Sequence, residues 1–396
     1  MTIGTAETPA SPPQPDTLPT QPILAPIGAV RGFDLGHALQ WAARSRNIWV
    51  GRLAFDIMRR QIGRQKLTTE NYFHFGLHLA RHSAATRATF LGDTATRRLN
   101  KALSDPNVVQ IWRDKVSTTA ALEKSGLPTP PIRAVFQRSG NRDGCTMLDS
   151  QANLAAYLGH TAVVPFFGKP VIGAAGIGAM CVVAHDGPDR LVLADGRTVA
   201  VADLAHEIAQ TYPQGYLFQD RLCQHPDLVA FAGEVMCSLR IFSVWVGGRF
   251  TPLYANMRLP SPGAMLDITC NGSAAIDLDT GQILRTQDGR RLGGHSLEKS
   301  HITGAQIIGV QLPFWPRVMQ LAAQAHALFP SQGVLGIDIG LTENGATIVE
   351  LNSSPGHGGH HQTNDEGILT ARFRAVFAAA LAERGITGRR ARQLLP

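Results

Sequence analysis

The sequence lacks the cysteine patterns that mark disulfide-stapled and zinc-binding proteins. Its five cysteines are scattered along the chain without a C-x-x-C pair. Closely spaced pairs are what disulfide frameworks and zinc knuckles usually require. We therefore expect reduced thiols, most of them buried.

Long apolar runs are absent as well. A membrane-spanning helix needs about 20 consecutive apolar residues, and no segment approaches that length. The proline-rich stretch of residues 1–21 has no hydrophobic core of the kind found in secretion signals. These absences predict a soluble, cytoplasmic protein.

The chain is long enough for more than one structural unit. It has 396 residues, of which 44% are hydrophobic, whereas single cores usually stop growing near about 250–300 residues. The 37 Lys and Arg residues outnumber the 30 Asp and Glu residues and give a net charge of +7. This surplus suits phosphate-bearing or acidic ligands without requiring nucleic acid.

The N-terminal part of the chain combines a proline-rich segment with helical patterns. Residues 2–26 have few large apolar side chains, so a disordered tail is expected. Residues 37–64 repeat apolar side chains near a 3.6-residue spacing and carry six arginines against one acid, which predicts a basic amphipathic helix. We favour a helix that packs on its own domain, and the alternative is a helix that lies on an anionic membrane or a lipid-linked substrate.

Helical patterning continues over residues 69–104 and predicts a helical N-terminal cap. Its expected buried face comprises Tyr72, Phe73, Phe75, Leu77, Leu79 and Ala80. After the cap, the pattern changes to alternating helices and strands. The predicted helices are 114–125, 201–210 and 314–328, and the predicted strands are 132–137, 162–167, 179–184, 216–219, 239–246 and 347–351.

A glycine-rich segment, residues 168–178, stands between two of these strands. It reads GKPVIGAAGIG, with Lys169 at the end of the preceding strand. Glycines let a hairpin backbone approach phosphate oxygens closely, and the lysine adds a positive charge. A plain turn is the alternative interpretation, because the segment fits neither the P-loop nor the dinucleotide-binding motif.

Two carboxylates and an amide are expected to converge further along the chain. Asn344-Gly345 lies between apolar runs and predicts a hairpin that puts Asp338 and Glu350 on adjacent antiparallel strands. Glu350 and Asn352 then share a face, and the three side chains suit Mg²⁺. Solvated hairpin residues are the alternative. We favour the metal, because these strands are expected to be buried on both faces and unpaired carboxylates are costly there unless a cation compensates them.

These motifs together resemble the ATP-grasp superfamily, which includes D-alanyl-D-alanine ligase and biotin carboxylase. Within it, the chain most resembles the sugar-transfer-associated ATP-grasp family. The resemblance spans roughly residues 100–370. The matching segments are Asp114-Lys115, 126–130, 219–226, 238–241, 263–281 and 333–352.

The resemblance implies an α/β (α+β) ATP-grasp fold in which two lobes clasp ATP, behind the helical cap. The implied boundaries are a disordered tail at 1–28, the helical region at 29–105, the N-terminal lobe with its preceding segment at 106–218, the C-terminal lobe at 219–382 and a basic tail at 383–396. The residues that the resemblance assigns to ATP are Lys115, Lys169, Gly173, Gly176, Gly178, Gln219, Asp220, Arg221 and Leu222, of which 219–222 form the hinge that contacts adenine.

The resemblance also implies the metal and the catalytic residues. Asp338, Glu350 and Asn352 are expected to bind one or two Mg²⁺ ions, and Arg240 with Arg258 to steady the transferring phosphate or the substrate carboxylate. Two departures from the family pattern bear on this. Gln219-Asp220 stands where a glutamate is common, and residues 233–238 lack the usual polar Asn-Thr.

A loop with three histidines follows the predicted metal hairpin. His357, His360 and His361 lie among glycines, so a zinc site is conceivable. We favour a loop that lines the acceptor pocket, with His357 or His361 as a hydrogen-bond donor or a base. At least one of the three is expected to be structural.

The resemblance favours an ADP-forming carboxylate-amine ligase that works through an acyl phosphate on small molecules, with an amino acid or sugar-linked compound as a partner. The alternatives are a kinase that phosphorylates a hydroxyl group, a ligase that uses a thiol or hydroxyl nucleophile, and an inactive nucleotide-binding protein. Phosphoryl transfer of this kind depends on positioning and charge neutralisation.

Overall fold

The computed structural model describes residues 22–24, 35–107, 114–137, 144–173, 176–260, 272–288 and 296–396. Within these ranges, no helix is both long and apolar enough to cross a bilayer. The helices are α1 (Leu35–Arg46), α2 (Val50–Ile62), α3 (Thr69–His74), α4 (Ala84–Ala88), α5 (Asp93–Leu103), α6 (Lys115–Lys124), α7 (Gln151–Gly159), α8 (Val201–Thr211), α9 (Pro226–Ala232), α10 (Trp315–Ala327), α11 (Gly358–Asn364), α12 (Ala371–Glu383) and α13 (Gly388–Leu394).

Two β-sheets form the centre of the molecule. The strands are β1 (Ile132–Phe136), β2 (Thr146–Leu148), β3 (Phe166–Pro170), β4 (Met180–His185), β5 (Arg190–Leu193), β6 (Thr198–Ala200), β7 (Tyr216–Asp220), β8 (Leu239–Val246), β9 (Arg249–Leu259), β10 (Gly272–Ile276), β11 (Ile283–Asp288), β12 (Val334–Thr342) and β13 (Gly345–Asn352). The first sheet has the order β2-β1-β7-β3-β4-β5-β6, and the second has the order β11-β10-β9-β8-β12-β13.

The predicted helical cap is present, but its first helix is broken. The pattern over residues 37–64 predicted one helix, and that prediction is wrong. The chain forms α1 and α2 instead, because Asn47 adopts a left-handed conformation with φ +50°, which asparagine tolerates better than most residues. The break lets both helices turn an apolar face to one small core with Phe73 and Phe75.

The pattern over residues 69–104 becomes three short helices, α3 to α5, rather than a continuous one. Ser83 caps the start of α4 by accepting a hydrogen bond from the Thr86 amide, as serines do at helix N-termini. The predicted buried face is confirmed for Tyr72, Phe73, Phe75 and Leu77. It is wrong at its end, since Leu79 is half-buried and Ala80 is exposed.

Both chain ends are attached to the rest of the protein where they are described. Most of the predicted disordered tail lies outside the described residues, but Leu24 is buried against the first lobe. The Glu207 carboxylate holds this segment by accepting hydrogen bonds from the Ile23 and Leu24 amides, at 2.7 and 2.8 Å. At the other end, the predicted basic tail contains α13, which is largely exposed, and Leu395 is buried in the core around α12.

In the first lobe, the structure confirms the helix predicted from residue 114 and the two strands predicted around the glycine-rich segment. α6 begins at its N-cap Asp114, whose carboxylate accepts from the Val116 amide at 2.9 Å. It stops before Gly126, whose φ of +72° only glycine adopts easily. β3 and β4 pair in antiparallel fashion on either side of the glycine-rich segment. We call its described residues, 171–173 and 176–179, the flap. The strand predicted at 162–167 begins later, because residues 161–163 form a 3₁₀ turn.

The second sheet has one apolar face, and its other face is apolar at one end and polar at the other. Residues alternate between the two faces of a strand. On one face Ile241, Ile337 and Leu351 pack against α10. The opposite face carries the residue set Arg240, Asn256, Asp338, Glu350 and Asn352 toward the first lobe.

We predict that Gly178, at the end of the flap, tolerates no side chain. Its φ is +74°, and a Cβ there would lie 2.2 Å from the Tyr212 hydroxyl oxygen. Gly187 has a similar φ of +77° with open space around it, so Gly187→Ala is the matched control for backbone strain alone. Gly187→Ala should cost about 1 kcal/mol, and Gly178→Ala about 1–3 kcal/mol more. Thermal unfolding of the two variants measures the difference, and equal losses would contradict the clash.

Candidate functional site

The predicted hairpin is present, and its polar residues form a row across the second sheet. Asp338 on β12 pairs directly with Glu350 on β13. On the other side, Asp338 pairs with Arg240 of β8, which in turn lies opposite Asn256 of β9. The turn at Gly345, with φ +120°, closes the hairpin as expected. The prediction that the two carboxylates lie on adjacent antiparallel strands is therefore confirmed.

Arg240 and Asp338 form a buried, bidentate ion pair at the centre of this row. The Arg240 Nε and Nη2 atoms donate to the two Asp338 oxygens at 2.6 and 2.5 Å. Asn352 adds a hydrogen bond from Nδ2 to Asp338 Oδ2 at 3.0 Å. Burial alone would raise the pKa of Asp338, but Arg240, Arg258 and Asn352 outweigh it, and the pKa lies below its usual value.

The ion pair with Arg240 removes one reason for expecting a cation beside Asp338. The carboxylate of Asp338 is compensated by Arg240, so its burial does not by itself demand a metal. The expected burial on both faces holds for β12 but is wrong for β13, which is an edge strand of alternating exposure. The Glu350 side chain is 33% exposed.

Lys115 connects the two lobes. It lies at the first position of α6, and its Nζ donates to the Gly173 carbonyl of the flap at 2.7 Å. The same Nζ lies 3.9 Å from Glu350 Oε1 on the second sheet. Burial lowers the pKa of Lys115, although the nearby charges of Glu350 and Asp114 act in the opposite direction. A single ammonium thus contacts the flap and the edge of the carboxylate row.

The flap glycines that were predicted to approach phosphate occupy conformations that favour glycine. Gly176 and Gly178 have φ values of +65° and +74°. The Gly178 carbonyl accepts a hydrogen bond from the buried Tyr216 hydroxyl at 2.8 Å, which fixes the end of the flap. Lys169 lies on β3 two residues after Phe167, so the two side chains share the face that is turned to the cleft.

A cavity of about 250 Å³ opens between the lobes where the hinge was predicted. The first lobe contributes Phe167 and Cys181, and the second contributes Met236 and Val349. Gln219, Asp220, Arg221 and Leu222 form its edge. Apolar walls with a polar edge are typical of sites that bind a flat heterocycle.

The side chain of Asp220 is engaged elsewhere. It forms an ion pair with Arg133 of β1, and its amide donates to the Pro131 carbonyl at 3.0 Å. The polar groups of the hinge at the cavity are therefore the Gln219 side chain and the backbone after Asp220. This is the region in which the sequence departs from the family's usual glutamate.

The prediction that the three histidines lie in a loop is wrong for two of them, because His360 and His361 lie in α11 and His357 is the residue just before it. The whole segment is closed by packing. His361 is held by the carbonyl oxygens of Leu91 and Glu366 at 3.2 and 3.3 Å. His357 is 2% exposed and bonds through Nδ1 to the Tyr254 hydroxyl at 2.8 Å. Burial, with smaller contributions from His361 and His360, holds the pKa of His357 well below its usual value. His357 is therefore neutral, and this position favours a structural role over that of a base.

The donor chemistry of the row fits Mg²⁺ better than zinc. Glu350, Asp338 and Asn352 supply hard oxygen ligands, and the Asn352 amide uses its nitrogen toward Asp338, which leaves its oxygen for a cation. Within the described ranges, no group of three or more His, Cys, Asp and Glu residues is arranged to hold a metal. The histidine loop is thus not supported as a zinc site.

Sequence reasoning missed the residues that line the cavity away from the hinge. Phe167, Met236 and Val349 come from three distant segments, and each carries an ordinary apolar side chain without a motif. It also missed Arg133, whose partner Asp220 lies 87 positions away. In the predicted segment 263–281, residues 263–271 lie outside the described part of the chain.

Comparison with known proteins agrees with these motifs. The model of the sugar-transfer associated ATP-grasp family matches residues 94–376. No curated protein sequence matches the chain.

Solved structures with a similar fold include several ligases. D-alanine-D-alanine ligase from Helicobacter pylori is 14% identical, with 74% of this chain and 69% of that chain covered, at a TM-score of 0.41. Carboxyaminoimidazole ribonucleotide synthase from Aspergillus clavatus, complexed with ATP, is 16% identical, with coverages of 70% and 53% and a TM-score of 0.42. L-amino acid ligase from Bacillus licheniformis is 14% identical, with coverages of 64% and 43% and a TM-score of 0.37. The chain spans about half the length of the first solved structures it matches.

We predict that Arg240 is needed chiefly because Asp338 is buried and charged. Arg240→Met should cost about 3–5 kcal/mol of stability, since it leaves the carboxylate without its partner. Adding Asp338→Asn should recover part of that loss. Folding lowers the pKa of Asp338, so the pair contributes fully above the unfolded pKa of about 3.9 and less as the pH falls through the lower folded value. The comparison is therefore made near neutral pH.

Denaturation of both variants provides the measurement. Arg249→Met is the matched control, because Arg249 begins the adjacent strand β9 and is exposed. A double variant that is no more stable than Arg240→Met would contradict this account of the pair.

Proposed function

Because the chain belongs to the sugar-transfer associated ATP-grasp family, we propose that it is an ADP-forming ligase that joins a carboxylate to an amine through an acyl phosphate. The observation that carries the proposal is the arrangement of cations and carboxylates between the lobes. Lys115 contacts the flap and lies near Glu350. Glu350 in turn pairs across the hairpin with Asp338, the partner of Arg240, and the neighbouring Val349 lines the cavity at the hinge.

The cavity supports the binding of adenine. Phe167 and Cys181 on one side and Met236 and Val349 on the other form apolar walls. Burial raises the pKa of the Cys181 thiol, which therefore stays neutral and belongs to the apolar wall. Gln219 and the backbone after Asp220 offer polar groups at the edge of the ring.

The flap and its lysines support the binding of phosphates. Lys115 and Lys169 supply positive charge beside the flap. Gly173, Gly176 and Gly178 have no side chains that would block the approach of phosphate to the flap backbone. Positive charge and backbone amides near phosphate oxygens are the means by which such sites neutralise a nucleotide. Lys115 also holds the Gly173 carbonyl, so the same residue would position the flap.

Glu350, Asn352 and Asp338 are the residues that would hold Mg²⁺. When bound, the ion would neutralise negative charge on the ATP phosphates. Arg240 neutralises the charge of Asp338. The pair therefore adds no net negative charge that would repel an anionic nucleotide. Arg258, which lowers the pKa of Asp338, lies close enough to this row to meet the transferring phosphate or the substrate carboxylate.

The proposed reaction has two displacements. A carboxylate oxygen of the substrate attacks the γ-phosphorus of ATP, the bond to the β,γ-bridging oxygen breaks, and ADP leaves. An amine then attacks the carbonyl carbon of the acyl phosphate, the carbon–oxygen bond to phosphate breaks, and the amine loses a proton as phosphate departs. The protein's contribution is to align the groups and to balance charge. We propose a small carboxylic acid and a small amine, one of them an amino acid or a sugar-linked compound.

The reaction is tested with the purified chain, Mg-ATP, a panel of carboxylic acids and hydroxylamine as a general nucleophile. We expect a hydroxamate for at least one acid, formed in a one-to-one ratio with ADP and detected by mass spectrometry. Panels of free amino acids and sugar acids cover the proposed substrate class. A stable phosphorylated product without hydroxamate would identify a kinase and overturn the ligase proposal.

We predict that Glu350→Gln reduces the rate of ADP formation about 100-fold or more, because the change removes a charged ligand of the proposed Mg²⁺ site. Glu343→Gln is the matched control, since Glu343 is exposed at the turn of the same hairpin. The melting temperatures of both variants should stay near that of the unchanged protein. Activity of Glu350→Gln that equals that of the control would place the metal elsewhere.

A further inference from the structure

Helix α2 has an apolar stripe on the side that faces away from the protein. Its inner side is buried through Leu53 and Ile57. On its outer side, Phe55, Met58 and Ile62 are 59%, 49% and 70% exposed. Residues spaced by three and four positions lie in line along a helix, so these three side chains form one stripe opposite the buried face.

Trp49 extends the stripe by one position. Its side chain is 79% exposed, and its ring lies over Gly51, where a Cβ would approach ring atoms to 2.2 Å. Position 51 continues the spacing of 55, 58 and 62. The indole of Trp49 therefore occupies the space that a side chain at position 51 would take. We call the set Trp49, Phe55, Met58 and Ile62 the outer stripe of α2.

The charges around the outer stripe are almost all positive. Arg52 and Arg59 are exposed, and the helical spacing places both along one edge of the stripe. The acid of this helix, Asp56, accepts hydrogen bonds from the Tyr72 hydroxyl at 2.8 Å and from Arg60 at 3.1 Å, on the side of the core. Asp56 also lies 3.6 Å from Nη2 of the exposed Arg59. One acid thus faces three arginines of this helix, Arg52, Arg59 and Arg60, and the edge of the stripe keeps a net positive charge.

We propose that the outer stripe of α2 binds the surface of an anionic lipid bilayer. A helix with aromatic and aliphatic residues on one side and arginines at its edge lies in the interface between headgroups and acyl chains. The arginines match the negative charge of the lipids. A second copy of the chain fits the surface less well, because a stripe-to-stripe contact would bring the arginines of both copies together. The inference does not depend on the proposed ligase reaction.

The full-length chain is tested by co-sedimentation with vesicles of phosphatidylcholine alone and of phosphatidylcholine mixed with phosphatidylglycerol. We expect binding to the mixed vesicles, weakened by added salt, and much weaker binding to the neutral ones. Phe55→Ser, Met58→Ser and Ile62→Ser combined should reduce the binding about tenfold or more. Arg52→Glu with Arg59→Glu should remove the preference for the anionic lipid.

A control variant removes comparable apolar side chains from other places on the surface. Leu284, Ile302 and Leu328 are 47%, 41% and 36% exposed, and their combined replacement by serine should leave vesicle binding unchanged. Trp49 gives a second readout, since its fluorescence should shift to shorter wavelength with mixed vesicles and the shift should disappear in Trp49→Phe. Melting temperatures confirm that the variants are folded.

The proposal is overturned if the chain binds neither kind of vesicle, or if the α2 triple variant and the control variant bind equally well. It is also overturned if analytical ultracentrifugation shows a dimer that the α2 triple variant abolishes, because the stripe would then be covered by a second copy.

Discussion

Arg240 and Asp338 face each other on neighbouring strands of the second sheet, and the chemistry of the cleft depends on their ion pair. Both oxygen atoms of the Asp338 carboxylate accept hydrogen bonds from Arg240, and Oδ2 also accepts one from Asn352. A carboxylate that is 5% exposed would otherwise carry a large desolvation cost. The pair keeps Asp338 ionised, and the same carboxylate holds the Asn352 amide through a hydrogen bond.

The second constraint is the position of Lys115 between the lobes. Its ammonium contacts the flap carbonyl of Gly173 and lies near Glu350. The contact to Glu350, at 3.9 Å, is too long for a strong bond, whereas the contact to Gly173 is short. Lys115 is therefore tied to the flap, and its interaction with the second sheet is mainly electrostatic.

Local signals in the sequence were sufficient where the structure is determined by neighbouring residues. The hairpin of β12 and β13 follows from alternating apolar residues around Asn344-Gly345, and α6 follows from Asp114 at one end and Gly126 at the other. Signals of this kind failed where distant segments meet. The pairing of Asp220 with Arg133 and the apolar walls of the cavity arise from tertiary contacts between residues that have no motif of their own.

The sequence was also misleading where one residue overrides a periodic pattern. The apolar spacing continues through residues 37–64, yet the left-handed conformation at Asn47 divides the helix. The sequence also contained no sign that His357 is buried against Tyr254, because glycine-rich surroundings usually indicate an exposed loop. Burial of that loop depends on the cap, which lies more than two hundred positions earlier in the chain.

The cap fixes the segment that follows the β12–β13 hairpin through hydrogen bonds. The Gly367 amide donates to Thr89 Oγ1 at 2.8 Å, the Leu369 amide donates to the Thr89 carbonyl at 2.9 Å, and Asn100 donates to the Pro355 carbonyl at 3.0 Å. A Cβ on Gly367 would lie 2.0 Å from the Thr89 backbone, so the two segments touch without room for a side chain. The family match begins at residue 94, which leaves Thr89 and the helices before it outside. The shape of this segment is thus imposed in part by a region that the family match does not cover.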